Sequence, residues 1–245
     1  MTHAAPLDIL EVDDLDCRFA PQPWSFAVAR AAEIDAHWAE LTRANPSLYN
    51  GRVLLQHGSR LEERDGRRIF TAEYFETDYK SFLSWRDFGY PEGGVRNGFG
   101  MAALQSLDGA FLVGEMAAHT ANAGRVYFPA GTPDPNDIRG DRVDLDGSVL
   151  RELREETGLR AADGVADPGW TLLFDTYRIT CMKRFRAQLS ADALVRRIHA
   201  FLEQDPQPEL ARMHIIRGPA DFEGLDMPAY MLVYLRRALA EVQAG

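Results

Sequence analysis

The stretch LRELREETGL, Leu150–Leu159, decides how this chain is read, because it gathers three glutamates and two arginines just ahead of a glycine. Successive residues of an α-helix turn by about 100°. Counted from Val149, Leu150 and Leu153 fall with it in an arc of about 100°, the width of a core-facing stripe. Glu155, Glu152 and Glu156 fall at about 240°, 300° and 340°, and Arg154 and Arg151 at about 140° and 200°. The acids therefore form one arc, and Glu156 abuts the core edge.

A solvated face is the plain alternative, since most charged helical residues are simply exposed. Two features weigh against it. Glu152 and Glu156 are like charges at i, i+4, which repel by a few tenths of a kcal/mol. All three acids also lie in the last turns before Gly158, where the negative end of the helix dipole disfavours each further anion by about 0.3–1 kcal/mol. Carboxylates held together at a core edge suit a hard divalent cation. Mg²⁺ takes oxygen ligands, uses one or two carboxylates, and keeps sites for water and substrate phosphates.

Upstream of this helix lie a polar loop, Thr132–Asp146, and a strand GRVYFPAG, Gly124–Gly131. Before them, MAALQSLDGAFLVGEMA alternates around Asp108-Gly109 as a hairpin. Downstream, WTLLFDTYRITCMKRFRAQL is strand-like. A helix from Ser190 follows with Leu194, Ile198, Phe201 and Leu202 on one side, then a strand LARMHIIR and a last helix carrying Met231, Leu235 and Leu239. Nearer the start, a strand about Asp8–Glu11 precedes a helix over SFAVARAAEIDAHWAELTRANP, stopped before Pro46. NGRVLLQHGSRLEERDGRRIFTAEYFETDY reads as a hairpin, and YKSFLSWRDFG as a short helix closed by Gly89. The Gly-rich run Gly89–Gly100 reads as a linker. Its GFGMAA fragment lacks the ordered strand, turn and third glycine of a dinucleotide motif. These elements predict an α/β chain with a mixed sheet, divided into an N-terminal α+β segment, 1–97, and a second domain, 98–245.

With 245 residues, 46% hydrophobic and 26% charged, the chain is long enough for a sizeable core. Its net charge of -10 argues against nucleic-acid partners, which are held by clustered Lys and Arg. Cys17 and Cys181 are the two cysteines, with no CxxC, so neither a disulfide framework nor a thiolate zinc site is expected and a cytoplasmic location fits. MTHAAPLDILEVDDLD lacks a basic start and an apolar run, so no signal peptide and no membrane partner are expected.

RELREETGL resembles the second half of the Nudix box, Arg-Glu-apolar-x-Glu-Glu-x-Gly-apolar, at Arg151, Glu152, Leu153, Glu155, Glu156, Gly158 and Leu159. The preceding strand ending FPAG and the loop after it stand where that family has them. The resemblance implies a Nudix-type α/β/α sandwich over about Gly98–Glu241 and Mg²⁺- or Mn²⁺-dependent hydrolysis of a nucleoside diphosphate linked to another group, X. It implies that Glu152, Glu155 and Glu156 ligate metal, with one helping to activate the attacking water, and that Arg151 orients them; an i, i+4 pair with Glu155 is its structural alternative. The backbone carbonyl of Ala130 is a further implied ligand.

The first half of the box departs from the pattern. Gly131 to Arg151 spans about twenty positions where the family has about fourteen, and the usual glutamate, eight places before the arginine, is Val143. Asp141, Asp144 and Asp146 are candidates to replace it, or turn formers, with Asp146 as the expected N-cap. NPSLYNGRVLL (Asn45–Leu55) and GTPDP (Gly131–Pro135) are similar to the branch that cleaves UDP-glucose and UDP-galactose, which points to a nucleoside diphosphate sugar.

Outside the box, Glu209 is the preferred further acid over Glu203, although isolated glutamates are usually surface residues. Tyr49, Tyr74, Phe75 and Trp85 are candidates to stack on a nucleobase, with core packing the commoner role of each. His119 and His214 read as structural, since no HxxH or HExxH occurs. Two other classes stay open: a Nudix-like nucleotide sensor without catalysis, and an interaction domain whose acidic arc is solvated. The N-terminal segment would cap its own site or form a homodimer interface.

Overall fold

The computed structural model describes residues 7–91 and 93–244. The first six residues of the N-terminal stretch, with the outer ends of the 1–97 and 98–245 segments, lie outside these. The strands are β1 (Asp8–Val12), β2 (Asp14–Phe19), β3 (Arg52–Arg64), β4 (Arg67–Asp78), β5 (Val95–Gln105), β6 (Phe111–Met116), β7 (Val126–Tyr127), β8 (Ala130–Gly131), β9 (Ile138–Arg139), β10 (Arg142–Val143), β11 (Gly164–Ala166), β12 (Trp170–Phe174), β13 (Arg178–Ala187) and β14 (Leu210–Ile216). The helices are α1 (Ser25–Ala29), α2 (Ala31–Ala44), α3 (Tyr79–Asp87), α4 (Leu145–Thr157), α5 (Ala191–Leu202) and α6 (Ala229–Ala244).

The strands join in the order β1-β12-β13-β5-β3-β4-β2-β10-β9, with β8 and the β6 group branching from β5. β5 runs parallel to β13, and β2 parallel to β4, while the other pairings are antiparallel. The sheet is therefore mixed and the class is α/β. Neighbouring residues of a strand point to opposite faces, and this places the layers. Lys183 reaches Asp146 of α4 at 3.1 Å, whereas Arg184 reaches Glu241 of α6 at 2.8 Å. On β5, a side chain at Gly100 would overlap Val149 of α4, while Phe99 meets Tyr230 of α6.

β3 and β4 serve two cores by the same alternation. Leu54 and Tyr74 face the main core, and Val53, Leu55 and Phe75 face a second one with Trp24, Phe26, Ile34, Leu83 and Trp85. The position 97/98 falls inside β5, and β1 pairs with β12 at the far edge of the sheet.

Gly89–Gly100 is not a linker throughout: Gly89 and Gly94 take positive φ, and from Val95 onward the run is β5. The Trp170–Leu189 stretch turns at Asp175 into the antiparallel pair β12 and β13. The helix after residue 24 breaks at Arg30 into α1 and α2. Among the described residues no helix is long and apolar enough to cross a membrane.

Candidate active site

Helix α4 is capped by Asp144, whose side chain accepts the Gly147 N–H at 2.9 Å, and ends at Gly158 with φ 71°. The cap is thus Asp144 rather than Asp146, which is drawn away to Lys183. Val149 and Leu153 are buried and Leu150 half-buried, as the wheel requires. The missing side chain at Gly100 lets α4 lie close on β5, and this sets the depth of the glutamates.

Glu156 is 4% exposed. Its Oε1 accepts the Ala130 N–H at 3.3 Å, and its buried Oε2 has no partner. Burial, and then the charges of Glu152 and Glu209, push its carboxyl well above the usual range. Glu152 lies against the Cα of Gly131, where a Cβ would overlap its carboxylate. Burial lifts its carboxyl to about 7; Glu155 and Glu209 add to the shift and Arg151 opposes it. Glu155 is exposed. Glu209, one residue ahead of β14, is also exposed, yet partial desolvation and then the charge of Glu155 raise its carboxyl. Glu209, not Glu203 at the C-cap of α5, is the late acid coupled to the helix carboxylates.

Arg151 holds the arrangement. Its Nη1 lies 2.7 Å from Glu152 and 3.2 Å from Glu155, so it contacts both glutamates and the i, i+4 pair is one of those contacts. Its Nε and Nη2 donate to Asp137 at 3.3 and 2.9 Å. Asp137 is 3% exposed. It was not singled out in the sequence, where it sits in a Pro-rich loop among other turn-forming aspartates. Val143 is core, Asp141 pairs with Arg18 at 2.6 Å, and neither Asp144 nor Asp146 joins the glutamates.

Among the described residues no three His, Cys, Asp or Glu side chains form a ready metal cage. The donor set nevertheless fits Mg²⁺ or Mn²⁺, which need one or two carboxylates and otherwise take water and substrate oxygens. The observation that carries the fit is the unpartnered buried Oε2 of Glu156 beside Glu152, since a buried acceptor without a donor costs about 1–3 kcal/mol.

A cleft of about 1130 Å³ opens beside Ala130 and Gly131. Tyr49, Tyr79, Tyr90, Phe99, Tyr127 and Tyr230 line it, and Arg86, Arg125 and Arg178 supply positive charge. The N-terminal segment thus walls a cleft of its own chain. Of the four aromatic candidates, Tyr74, Phe75 and Trp85 are completely buried in the two cores. Tyr49 remains, 82% exposed on the cleft. Arg178, missed because it reads as an ordinary strand-start cation, pairs with Asp175 at 2.8 Å and faces the Tyr230 ring at 5.8 Å. His214 contacts Glu115 at 2.9 Å, and His119 lines the cleft.

No family model and no curated protein matches the chain. Among solved structures, the MutT protein from Methanosarcina mazei Go1 is similar over 60% of this chain and 96% of its own, at 18% identity and a TM-score of 0.39. The Nudix hydrolase RenU from M. smegmatis is similar over 60% of this chain and 84% of its own, at 15% identity and a TM-score of 0.37. The E. coli ORF135 protein is similar over 61% and 93%, at 17% identity and a TM-score of 0.35.

Proposed function

We propose that the chain is a Mg²⁺- or Mn²⁺-dependent pyrophosphohydrolase acting on a nucleoside diphosphate linked to X, with a nucleoside diphosphate sugar as the substrate class. The observation that supports it most is the pair Glu152 and Glu156, set against the Ala130-Gly131 turn and both lifted chiefly by burial and then by neighbouring carboxylates. Glu152, Glu155, Glu156 and the Ala130 carbonyl would hold the metal, which supplies charge neutralisation on the diphosphate and a more acidic water. Water adds to one phosphorus, the bridging P–O bond breaks, and the products are a nucleoside monophosphate and phosphorylated X. Glu152 or Glu155 takes the proton of the attacking water, and Arg151 keeps both in place. Tyr49 and the other cleft aromatics offer surfaces for a base, and Arg178 and Arg125 suit phosphate oxygens.

The test is hydrolysis across nucleoside diphosphate sugars, dinucleotides and nucleoside triphosphates, with Mg²⁺ and with EDTA, beside Glu156→Gln. Metal-dependent cleavage of one class, lost in the variant, is expected. Nucleotide binding without turnover would make the chain a sensor instead, and turnover indifferent to EDTA and to Glu156 would refute the reading.

A further inference from the structure

We infer that Ile138–Val143 is a six-residue hairpin inserted into the box, and that Asp137 occupies the place of the box glutamate and positions Arg151. This rests on the proposed hydrolase reading. β9 and β10 pair through Arg139↔Arg142 and Ile138↔Val143, with Gly140 at φ 65° in the turn. The excursion closes at its base, where the Asp144 N–H donates to the Asp137 carbonyl at 2.8 Å. With the six residues set aside, Asp137 stands eight positions before Arg151, as the missing glutamate would, and it already stands six after Gly131. The stretch from Gly131 to Arg151 then has the family length of about fourteen. Val143 is apolar because it belongs to the insertion and fills core.

The contacts agree with the count. Asp137 Oδ1 accepts from Arg151 Nε, and Oδ2 accepts from Arg151 Nη2 and from the Asp134 N–H at 3.0 Å. Both oxygens of a buried carboxylate are met, and the guanidinium is clamped on one edge, the planar geometry that makes arginine specific. The remaining nitrogen, Nη1, is aimed at Glu152 and Glu155. Aspartate is one methylene shorter than glutamate, and the Pro135–Asp137 turn, packed on α4, brings it within reach. The inserted hairpin reaches the other way, to β2: Arg142 pairs with Arg18 in register, Asp141 accepts the Phe19 N–H at 2.9 Å, and Arg142 meets Asp16 at 3.3 Å. These contacts lie on the β2 side, away from the Asp137–Arg151 pair.

Mn²⁺ binding to the nucleotide-free protein, followed by electron paramagnetic resonance, reads the positioning without turnover, and kcat and KM read it with turnover. Asp137→Ala is expected to weaken Mn²⁺ binding and lower kcat by about 10- to 100-fold, as loss of a residue behind a metal ligand does, with KM little changed. Asp137→Glu is expected to restore most of both. Replacing the exposed tip Arg139–Arg142 by Asn-Gly, a turn suited to a two-residue hairpin, keeps Ile138 and Val143 and should leave both readouts within about threefold. Wild-type values in a folded Asp137→Ala, or an Asp137→Glu no better than Asp137→Ala, would overturn the positioning role; loss of either readout, or of the fold, in the Asn-Gly variant would overturn the insertion. A wild type that binds Mn²⁺ but cleaves no phosphoanhydride ends the hydrolase reading while Mn²⁺ affinity still judges Asp137. A wild type that does neither overturns both.

Discussion

Glu152→Gln should make the metal-free protein more stable while removing activity. The Glu152 carboxyl is lifted from its ordinary 4.5 to about 7, chiefly by burial. Each pKa unit is about 1.4 kcal/mol, so ionising it in the folded protein costs about 3 kcal/mol. The sign follows from proton binding: between pH 4.5 and 7 the folded chain holds a proton that the unfolded chain has lost, so stability falls as pH rises through that window and levels off above it. Below pH 4.5 both states are protonated and the penalty vanishes. A neutral glutamine escapes the penalty, and the attraction of Arg151 is already counted among the opposing causes. In EDTA the variant should gain about 3 kcal/mol at pH 8.5, or about 6–12 °C in Tm for a chain of this size, and only a few tenths of a kcal/mol at pH 4.5. With Mg²⁺ at about 100 times its Kd the wild type gains about 2.7 kcal/mol and the gap narrows. Urea melts at the two pH values, with EDTA and with Mg²⁺, decide it. A variant less stable than wild type at pH 8.5, or equally stabilised at both pH values, refutes the account of Glu152 as a strained carboxylate.

Gly131→Ala places a Cβ on the Glu152 carboxylate; displacement of about 1 Å should cost about 10²-fold in kcat with the melting curve little changed, as steady-state kinetics will show. Tyr49→Ala, altering an exposed ring on the cleft, should raise KM about three- to tenfold at constant kcat and Tm, the loss of one aromatic stack. Gly158→Ala forces a side chain into φ 71° and to 2.6 Å from the Phe201 ring; a loss of about 1–2 kcal/mol or more is expected, seen as a Tm lower by several degrees.

Helix α4 was legible because a segregated acidic arc, an apolar stripe and a terminal glycine all act within four turns of chain. The hairpin at Asp65-Gly66 was legible for the same local reason: both residues take positive φ, as the turn requires. Asp137 was hidden because its partner lies fourteen residues away across an insertion, and a count along the chain cannot see that Asp137 and Asp144 meet. Aromatic composition could not separate Tyr49 from Tyr74: one lies in the loop ahead of β3 and lines the cleft, and the other points from β4 into the core with its hydroxyl at Gly98, a matter of position in the fold rather than residue type. The glycines at 98 and 100 looked like linker residues but mark close approach, of Tyr74 and of Val149, within a paired strand.

The pairing of β1 with β12 has a consequence for synthesis. Asp8–Val12 finds its hydrogen-bond partner in Trp170–Phe174, about 160 residues later. At about 5–20 residues per second a ribosome takes about 8–30 s to deliver that partner. Through this interval Leu7, Ile9 and Leu10, which end packed on the core, must wait on an unpaired segment. Asp8 lies among them and Glu11 follows them, and charges so placed act as gatekeepers against premature strand pairing. Translation speed, and not only the finished contacts, is therefore a variable in how much of this protein reaches its native sheet.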